Sequence, residues 1–242
     1  MKGFNLAQLV GNEMPVEEKF ARGFRPKDWM SDHQGFMPDT ATIFDVGANV
    51  GQTTAVLLEA FPGAQIHAFE PFPASAAKLK ARFRNQPRVI CVEAAADAVN
   101  GTKTMHVHAE LSVTNSLLPF HEDSGKYMPQ SAPSTECSVK AVSLDAYCAS
   151  EGIAGIDLLK IDTQGFERQV LEGTQGLLSR NAVASVYCEM IFVPVYEGQA
   201  TFYDVAGYLG RFGYALYDFY DFVYDASGQL KWGNAVFRPA KP

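Results

Sequence analysis

The stretch "IFDVGANVGQTT", residues 43–54, decides the fold class of this chain of 242 residues. It runs from an apolar, partly β-branched strand pattern into glycines and then into a helix pattern. The same alternation continues in "QIHAFE" and "PASAAKLKARF", and it returns in "IDLLKID" and "GFERQVLEGTQGLL". Strands that alternate with helices predict an α/β fold, a doubly wound and mostly parallel sheet with helices on both faces. In such a sheet, ligands bind at the carboxyl ends of the strands.

Three segments depart from this alternation. In "AVNGTKTMHVHAE", Asn100-Gly101 predicts a hairpin, because Asn-Gly is favoured in two-residue β-turns. Near the C-terminus, "YALYDFYDFVYD" and "NAVFRP" predict an antiparallel hairpin that turns at Ser227-Gly228. Residues 1–40 are expected to form a lead-in that covers one end of the core, and residues 41–242 are expected to form a single domain.

The composition disfavours several classes of partner. Acidic residues outnumber basic residues by 27 to 20, which gives a net charge of −7. Proteins that grip a phosphate backbone usually carry the opposite sign, so a nucleic-acid substrate is not expected. The sequence has no apolar run of about 18 residues and its N-terminus does not resemble a secretion signal, so no membrane partner is expected. The four cysteines are scattered without a C-x-x-C pair, which indicates reduced thiols in a cytoplasmic protein rather than a zinc site or disulfides.

The turn after the first strand, residues 47–51 with the pattern G-x-N-x-G, is the main candidate for ligand binding. Glycines let the backbone approach a ligand closely, and the following helix start presents free N–H groups. The dinucleotide fingerprint G-x-G-x-x-G would place a glycine where Asn49 stands, and the asparagine side chain would crowd a pyrophosphate. Asp45 would repel phosphates, but it would attract a cation such as the ammonium of a methionine moiety. A tight turn that binds nothing is the alternative interpretation.

Glu70, at the end of the second strand in "HAFEPF", is placed to accept hydrogen bonds from both hydroxyls of a ribose. Dinucleotides and S-adenosyl-L-methionine both offer such a ribose, so Glu70 indicates a nucleoside without identifying it. Asp45 and Asn49 then favour S-adenosyl-L-methionine as the cofactor. Pro71 and Phe72 follow directly, and the Phe72 ring either packs against the adenine or fills the core.

Four segments, "FDVGANVGQTT", "AFEP", "VSLDAY" and "LLKIDTQGFERQVLEG", resemble the FkbM family of S-adenosylmethionine-dependent methyltransferases. The resemblance runs from about Ile43 to Tyr217. Its most specific part is the K-I-D-x-x-G-x-E element of Lys160, Ile161, Asp162, Gly165 and Glu167. The resemblance implies a Rossmann-like class I methyltransferase fold with seven strands and the methylation of hydroxyl oxygens on sugars or natural products. It also places "TNSLLP", Thr114 to Pro119, near the active site.

The glycine turn, the acid after the second strand and the resemblance together predict one set of cofactor-binding residues. The set comprises Asp45, Gly47, Ala48, Asn49, Gly51, Glu70, Pro71, Phe72, Asn115 and Ser116.

Two carboxylates at strand ends are the main catalytic candidates. A hydroxyl is a poor nucleophile at neutral pH, so a nearby group should take its proton. Asp162 ends a buried strand at the ligand edge, with Lys160 two residues earlier on the same side, and Glu189 ends the next strand in "VYCEM". The two carboxylates either act as base and orienter or, with water and substrate, hold a divalent cation. Two carboxylates are few ligands for a metal, so no metal is predicted.

Simpler structural roles compete with these catalytic ones. Asp162 could cap the next helix or only pair with Lys160, and Glu167 suits the first turn of that helix through its dipole. His106 and His108 in "MHVHAE" are expected on a solvated strand face, since no third ligand follows at metal-site spacing. His121 could act as a base if its loop folds over the pocket. The predicted catalytic residues are Asp162, Glu189, Lys160 and His121.

These observations predict an S-adenosylmethionine-dependent methyltransferase that methylates a hydroxyl on a sugar, glycan or natural-product small molecule. One alternative is a nicotinamide-dependent oxidoreductase, which Asn49 and the lack of a Tyr-x-x-x-Lys pair disfavour. Another is a non-catalytic module that binds the cofactor and a partner, which the loss of Asp162 or Glu70 would have favoured. The sequence leaves the acceptor and the oligomeric state open.

Overall fold

The computed structural model describes residues 28–108, 112–128 and 134–240 of the chain. In these ranges the strands form one sheet of seven and one sheet of three. Helices α1 to α7 span Trp29–Gln34, Gln52–Ala60, Pro73–Phe83, Leu144–Glu151, Glu167–Glu172, Gln175–Ser179 and Phe202–Gly210. Strands β1 to β10 span Thr42–Val46, Gln65–Phe69, Val89–Val92, Ala95–Ala96, Gly101–Val107, Thr135–Val142, Leu158–Ile161, Val186–Ile191, Tyr214–Tyr224 and Leu230–Pro239.

The large sheet confirms the predicted α/β fold. Its strand order is β3-β2-β1-β7-β8-β10-β9. The five strands β3, β2, β1, β7 and β8 are parallel to one another, and β10 runs antiparallel to both of its neighbours, β8 and β9. The predicted C-terminal hairpin is therefore confirmed, with Ser227-Gly228 between its strands. Because the chain moves outward from β1 on one side and from β7 on the other, these two strands form the switch point at which such sheets open a crevice.

Helices cover both faces of this sheet. On one face, α4 to α7 contribute residues such as Leu144, Val170 and Leu209 to the core. On the other face, α2 and α3 contribute Leu57 and Leu79. Successive strand residues point to opposite faces, and the inner strands β1 and β7 are buried on both faces between the two layers. None of the helices in the three described ranges is long and apolar enough to span a bilayer.

The small sheet corrects the predicted hairpin at Asn100-Gly101. Strand β5 pairs antiparallel with β6, and the two-residue strand β4 pairs parallel with β6, so β6 lies between them. The Asn100 side chain accepts the N–H of Ser143 at 2.8 Å and so ties this turn to the start of α4. A second correction concerns "GFERQVLEGTQGLL", which forms the two helices α5 and α6 rather than one.

The described part of the lead-in packs against the sheet. Residues 1–27 lie outside the described ranges. In α1, His33 is fully buried and lies 2.9 Å from the Ser185 hydroxyl, and the Trp29 ring lies 4.3 Å from the Tyr187 ring. Helix α1 therefore packs against β8 and the residue before it, and the lead-in over residues 1–40 stays a prediction.

We expect Gly51→Ala to lower the free energy of unfolding by about 1–3 kcal/mol more than Gly152→Ala does. Gly51 precedes α2 with φ +84°, and a Cβ there would lie 2.4 Å from the Phe83 ring and 2.8 Å from Leu79 of α3. Gly152 has φ +70° and nothing within 4 Å of its Cβ position, so that variant carries only the left-handed backbone penalty of about 1–2 kcal/mol. Urea unfolding followed by circular dichroism measures the difference. Equal losses would show that α3 accommodates the extra methyl group without strain.

Candidate active site

A cavity of about 410 Å³ opens at the carboxyl ends of β1, β2, β7 and β8, where the switch point predicts it. Its floor is the turn after β1, and its sides carry Glu70, Asp162 and Glu189. Residues 112–117 line another side. The predicted residues that line the cavity are Gly47, Ala48, Asn49, Glu70, Pro71, Asn115, Ser116, Lys160, Asp162 and Glu189.

The turn after β1 is held between β2 and β7. The N–H groups of Gly47 and Ala48 donate to the Phe69 carbonyl at 3.1 and 2.9 Å. Gly47 has φ +83°, and a Cβ there would lie 1.9 Å from the Asp162 carbonyl oxygen. Only glycine therefore lets the turn pass this close to the end of β7.

Glu70 is a buried carboxyl group whose orientation is set by two backbone donors. Its Oε2 accepts the N–H of Asn49 at 2.9 Å, and its Oε1 accepts the N–H of Phe72 at 2.8 Å. Burial raises the pKa of Glu70 to about 7, against the opposing effect of these two hydrogen bonds. Each oxygen keeps a lone pair for a further donor, so Glu70 can accept two hydroxyl groups of a ligand in the cavity.

Lys160 and Asp45 form a buried ion pair directly below the turn. The Lys160 ammonium lies 3.0 Å from Asp45 Oδ1 and 3.5 Å from Asp162 Oδ2, and it donates to the Gly47 carbonyl at 3.2 Å. Burial alone would lower the pKa of Lys160, but the two carboxylates raise it above its ordinary value. Lys160 thus keeps its proton and serves as a fixed positive charge.

The structure corrects the expected role of Asp45 as a direct ligand of a cationic group. Its side chain is fully buried, and its Oδ2 accepts the Thr54 hydroxyl at 2.6 Å while Oδ1 faces Lys160. Asp45 does not line the cavity. It supports the site from below by holding Lys160 and Thr54.

Asp162 and Glu189 meet at the cavity, joined by one amide group. The Gln164 Nε2 atom donates to Asp162 Oδ1 and to Glu189 Oε2, each at 2.8 Å. Burial and the neighbouring Asp162 raise the pKa of Glu189 well above its ordinary value. The sequence alone does not single out Gln164, because it stands at an unspecified position of the K-I-D-x-x-G-x-E element.

Glu167 holds the turn that carries these groups. Its Oε1 accepts the backbone N–H groups of Thr163 and Gly165 and the Thr163 hydroxyl, at 3.0 to 3.1 Å. Burial raises the pKa of Glu167 to about 7. The side chain is buried within α5 and does not line the cavity, so it shapes the turn between β7 and α5.

The segment "TNSLLP" lies beside the cavity, as the resemblance implies. The Asn115 Oδ1 atom accepts the N–H of His108 at 2.8 Å, which turns its Nδ2 away from the backbone. That nitrogen is buried without a hydrogen-bond partner, in a residue that lines the cavity and is only 8% exposed. Ser116 donates its hydroxyl to the Gln164 carbonyl at 2.7 Å and so links this segment to the turn after β7.

Three other predicted site residues do not line the cavity. Gly51 packs against α3, where its lack of a side chain admits Phe83. The Phe72 ring packs against the small sheet beside Met105, and only its backbone N–H serves the site. His121 lines a second pocket, and its Nδ1 accepts the N–H of Asp123 at 3.1 Å. The expectation that the His121 loop would bring a base over the cavity is thus corrected.

His106 in β5 and His108, which directly follows that strand, differ from the expected solvated face. His108 is buried, and its ring stacks on Phe120 at 4.1 Å. His106 lies 3.8 Å from Glu136 across the small sheet. Among the residues that the structure describes, no group of three His, Cys, Asp or Glu side chains is arranged to hold a metal ion.

Comparison with known proteins places this chain in a family. Residues 45–216 match the Methyltransferase FkbM domain. The 2-O-methyltransferase NoeI of Sinorhizobium fredii is 28% identical over 205 residues, which cover 79% of this chain and 82% of that protein. The 31-O-demethyl-FK506 methyltransferase FkbM of Streptomyces tacrolimicus is 33% identical over 155 residues, which cover 55% of this chain and 59% of that protein.

A solved structure shares the fold. The crystal structure of methyltransferase FkbM from Methylobacillus flagellatus superposes with a TM-score of 0.52 at 13% identity, over 84% of this chain and 45% of that chain. Since the family match covers most of the chain and the sheet has the expected seven-stranded topology, the chain belongs to the FkbM family and is an S-adenosyl-L-methionine-dependent methyltransferase.

Proposed function

We propose that this enzyme methylates a hydroxyl oxygen of a small molecule or glycan, on a sugar or a natural product. The observation that carries the proposal is the carboxyl pair of Asp162 and Glu189 on the wall of the cofactor cavity. An alcohol needs a proton acceptor at neutral pH, and a carboxylate beside the reacting oxygen supplies one. Two relatives support the same chemistry, since one is named a 2-O-methyltransferase and the other a 31-O-demethyl-FK506 methyltransferase.

The residues around the cavity fit S-adenosyl-L-methionine. The Asn115 Nδ2 atom is a buried donor without a partner, and Glu70 offers two oriented acceptor oxygens. When bound, the cofactor supplies a methyl carbon activated by a positive sulfur. We assign its binding to Gly47, Ala48, Asn49, Glu70, Pro71, Asn115 and Ser116, all of which line the cavity.

The protein's part in the reaction is to place the acceptor and take its proton. We assign that proton to Asp162, because burial raises the pKa of Glu189 and so favours its protonated form, and because Lys160 is already charged. With the cofactor bound, its methyl group would be available to the acceptor oxygen, and Asp162 would take the hydroxyl proton. The side chain of Asp162 is 38% exposed, so it is open to the acceptor.

The carboxyl pair disfavours the other functions considered. A non-catalytic module would not need Asp162 and Glu189 beside the cofactor cavity. Membership of the methyltransferase family disfavours a nicotinamide-dependent oxidoreductase. The cysteines Cys91, Cys137, Cys148 and Cys188 are all unpaired, which supports a reducing compartment such as the cytoplasm.

We expect the enzyme to form methyl ethers. A panel of hydroxylated sugars, oligosaccharides and natural products, incubated with methyl-deuterated cofactor, tests this by mass spectrometry and NMR of the products. Transfer to oxygen supports the proposal. Transfer confined to nitrogen, carbon or sulfur acceptors would overturn it.

Asp162→Asn should reduce turnover at least about 100-fold and leave cofactor affinity nearly unchanged, because it removes the proton acceptor alone. Single-turnover kinetics and calorimetric titration with S-adenosylhomocysteine measure the two effects. Glu93→Gln is the matched control, since it makes the same change at a carboxylate that pairs with Lys80 on the surface. Unchanged turnover in Asp162→Asn would remove Asp162 from the mechanism.

Affinity for S-adenosylhomocysteine should fall as the pH drops through about 7. The pKa of Glu70 is raised to about 7, and below it the carboxyl group is protonated and loses an acceptor site for the ribose. Glu70→Gln should bind about 10- to 100-fold more weakly at pH 8.5 and lose most of the pH dependence. Calorimetric titrations from pH 5.5 to 8.5 test this. Because Glu167 also has a pKa of about 7 and remains in both proteins, a pH dependence that persists in Glu70→Gln would contradict the assignment.

A further inference from the structure

We propose that Gln164 is a positioning residue that joins Asp162 and Glu189 into one proton-accepting unit. The inference rests on the proposed hydroxyl methylation, since it assigns the pair its role in that reaction. Neither the family element nor the strand-end pattern specifies residue 164.

The hydrogen bonds of the Gln164 side chain use its whole amide group. A primary amide has two N–H donors, and both go to the carboxyl groups, at 2.8 Å to Asp162 and 2.8 Å to Glu189. The amide oxygen accepts the Tyr196 hydroxyl at 2.9 Å. A rotation of the amide by 180° would set its oxygen against two carboxyl oxygens, so this network fixes the orientation.

The backbone around Gln164 is also held in place. Gln164 has φ +58°, a left-handed conformation that is uncommon for a residue with a side chain. Its carbonyl accepts the Ser116 hydroxyl, and Glu167 binds the N–H groups of the residues on either side. The conformation is therefore imposed by its neighbours, and it directs the side chain between the two carboxyl groups.

The amide stands where a bridging cation would stand. A cation between two carboxylates would neutralise them and weaken them as proton acceptors, whereas a neutral donor orients them and leaves the charge in place. The hydrogen bonds that Gln164 donates favour the ionised form of the pair. The other groups that interact electrostatically with the pair are Lys160, Glu167, Tyr187, Cys188 and Tyr196, with Asp45 acting through Lys160.

Gln164→Met tests the inference in the enzyme reaction, because methionine has a similar length but no N–H donor. We expect the acidic limb of the kcat profile to move up by about one pH unit. On the acidic limb kcat should therefore fall up to about 10-fold, while affinity for S-adenosylhomocysteine changes less than about 2-fold. Tyr196→Phe, which frees the amide oxygen but keeps both donors, should move the profile in the same direction by less. A purely structural role would lower the melting temperature of Gln164→Met without moving the pH profile.

A measurement without an acceptor separates this inference from the proposed function. Protein labelled with ¹³C at Asp and Glu carboxyl carbons can be titrated by NMR in complex with S-adenosylhomocysteine, and Asp162→Asn and Glu189→Gln assign the two signals. In Gln164→Met the Glu189 signal should titrate at higher pH than in the unmodified chain. Unchanged titration would overturn the inference, even if methyl ethers are formed. A shifted titration without any methylated hydroxyl would retain the pairing and overturn the proposed function.

Discussion

The ion pair between Lys160 and Asp45 is the contact on which the rest of the site depends. The two residues face each other in the register of β7 and β1, so the pair ties the two strands where the sheet switches direction. Lys160 also binds the Gly47 carbonyl and approaches Asp162. One buried ammonium thus joins the floor of the cofactor cavity to the proton acceptor. Loss of Lys160 would leave the buried Asp45 carboxylate without its ion pair, at a cost of about 3–5 kcal/mol.

This arrangement leaves the cavity acidic. Asp45 takes up most of the charge of Lys160, and the described groups that remain on the wall are the carboxyls of Glu70, Asp162 and Glu189. Burial raises the pKa of Glu70 and Glu189, because the ionised form of each is poorly solvated there. A cofactor with positive sulfur offsets part of that cost when it enters, whereas a dinucleotide would bring further negative charge. The electrostatics therefore favour S-adenosyl-L-methionine over a dinucleotide, as the glycine turn with Asn49 also does.

The fold and the cofactor side of the site could be predicted from the sequence because both rest on local patterns. Strand and helix periodicity marked each parallel unit, and the carboxyl ends of parallel strands meet at one edge, which brought Glu70, Asp162 and Glu189 together. What could not be predicted depends on contacts between distant segments. The tie from Ser116 to Gln164 spans 48 positions, and the insertion of β6 between β4 and β5 has no local signal. The Asn100-Gly101 dipeptide shows the limit of local patterns, because it favours a turn but does not determine which strands pair.

The K-I-D-x-x-G-x-E spacing has a physical explanation in these contacts. Lys160 anchors β7 to β1, Glu167 reaches back to the N–H groups of the turn, and Gly165 permits a left-handed conformation with φ +94°. These specified positions hold the backbone, and the unspecified position 164 is thereby presented between the two carboxyl groups. A side chain as long as that of Gln164 reaches both Asp162 and Glu189 from this position. In this chain the residue is Gln164, a neutral amide with two donors. The specified positions of the element fix the backbone, and the side chain at position 164 determines how readily the carboxyl pair accepts a proton.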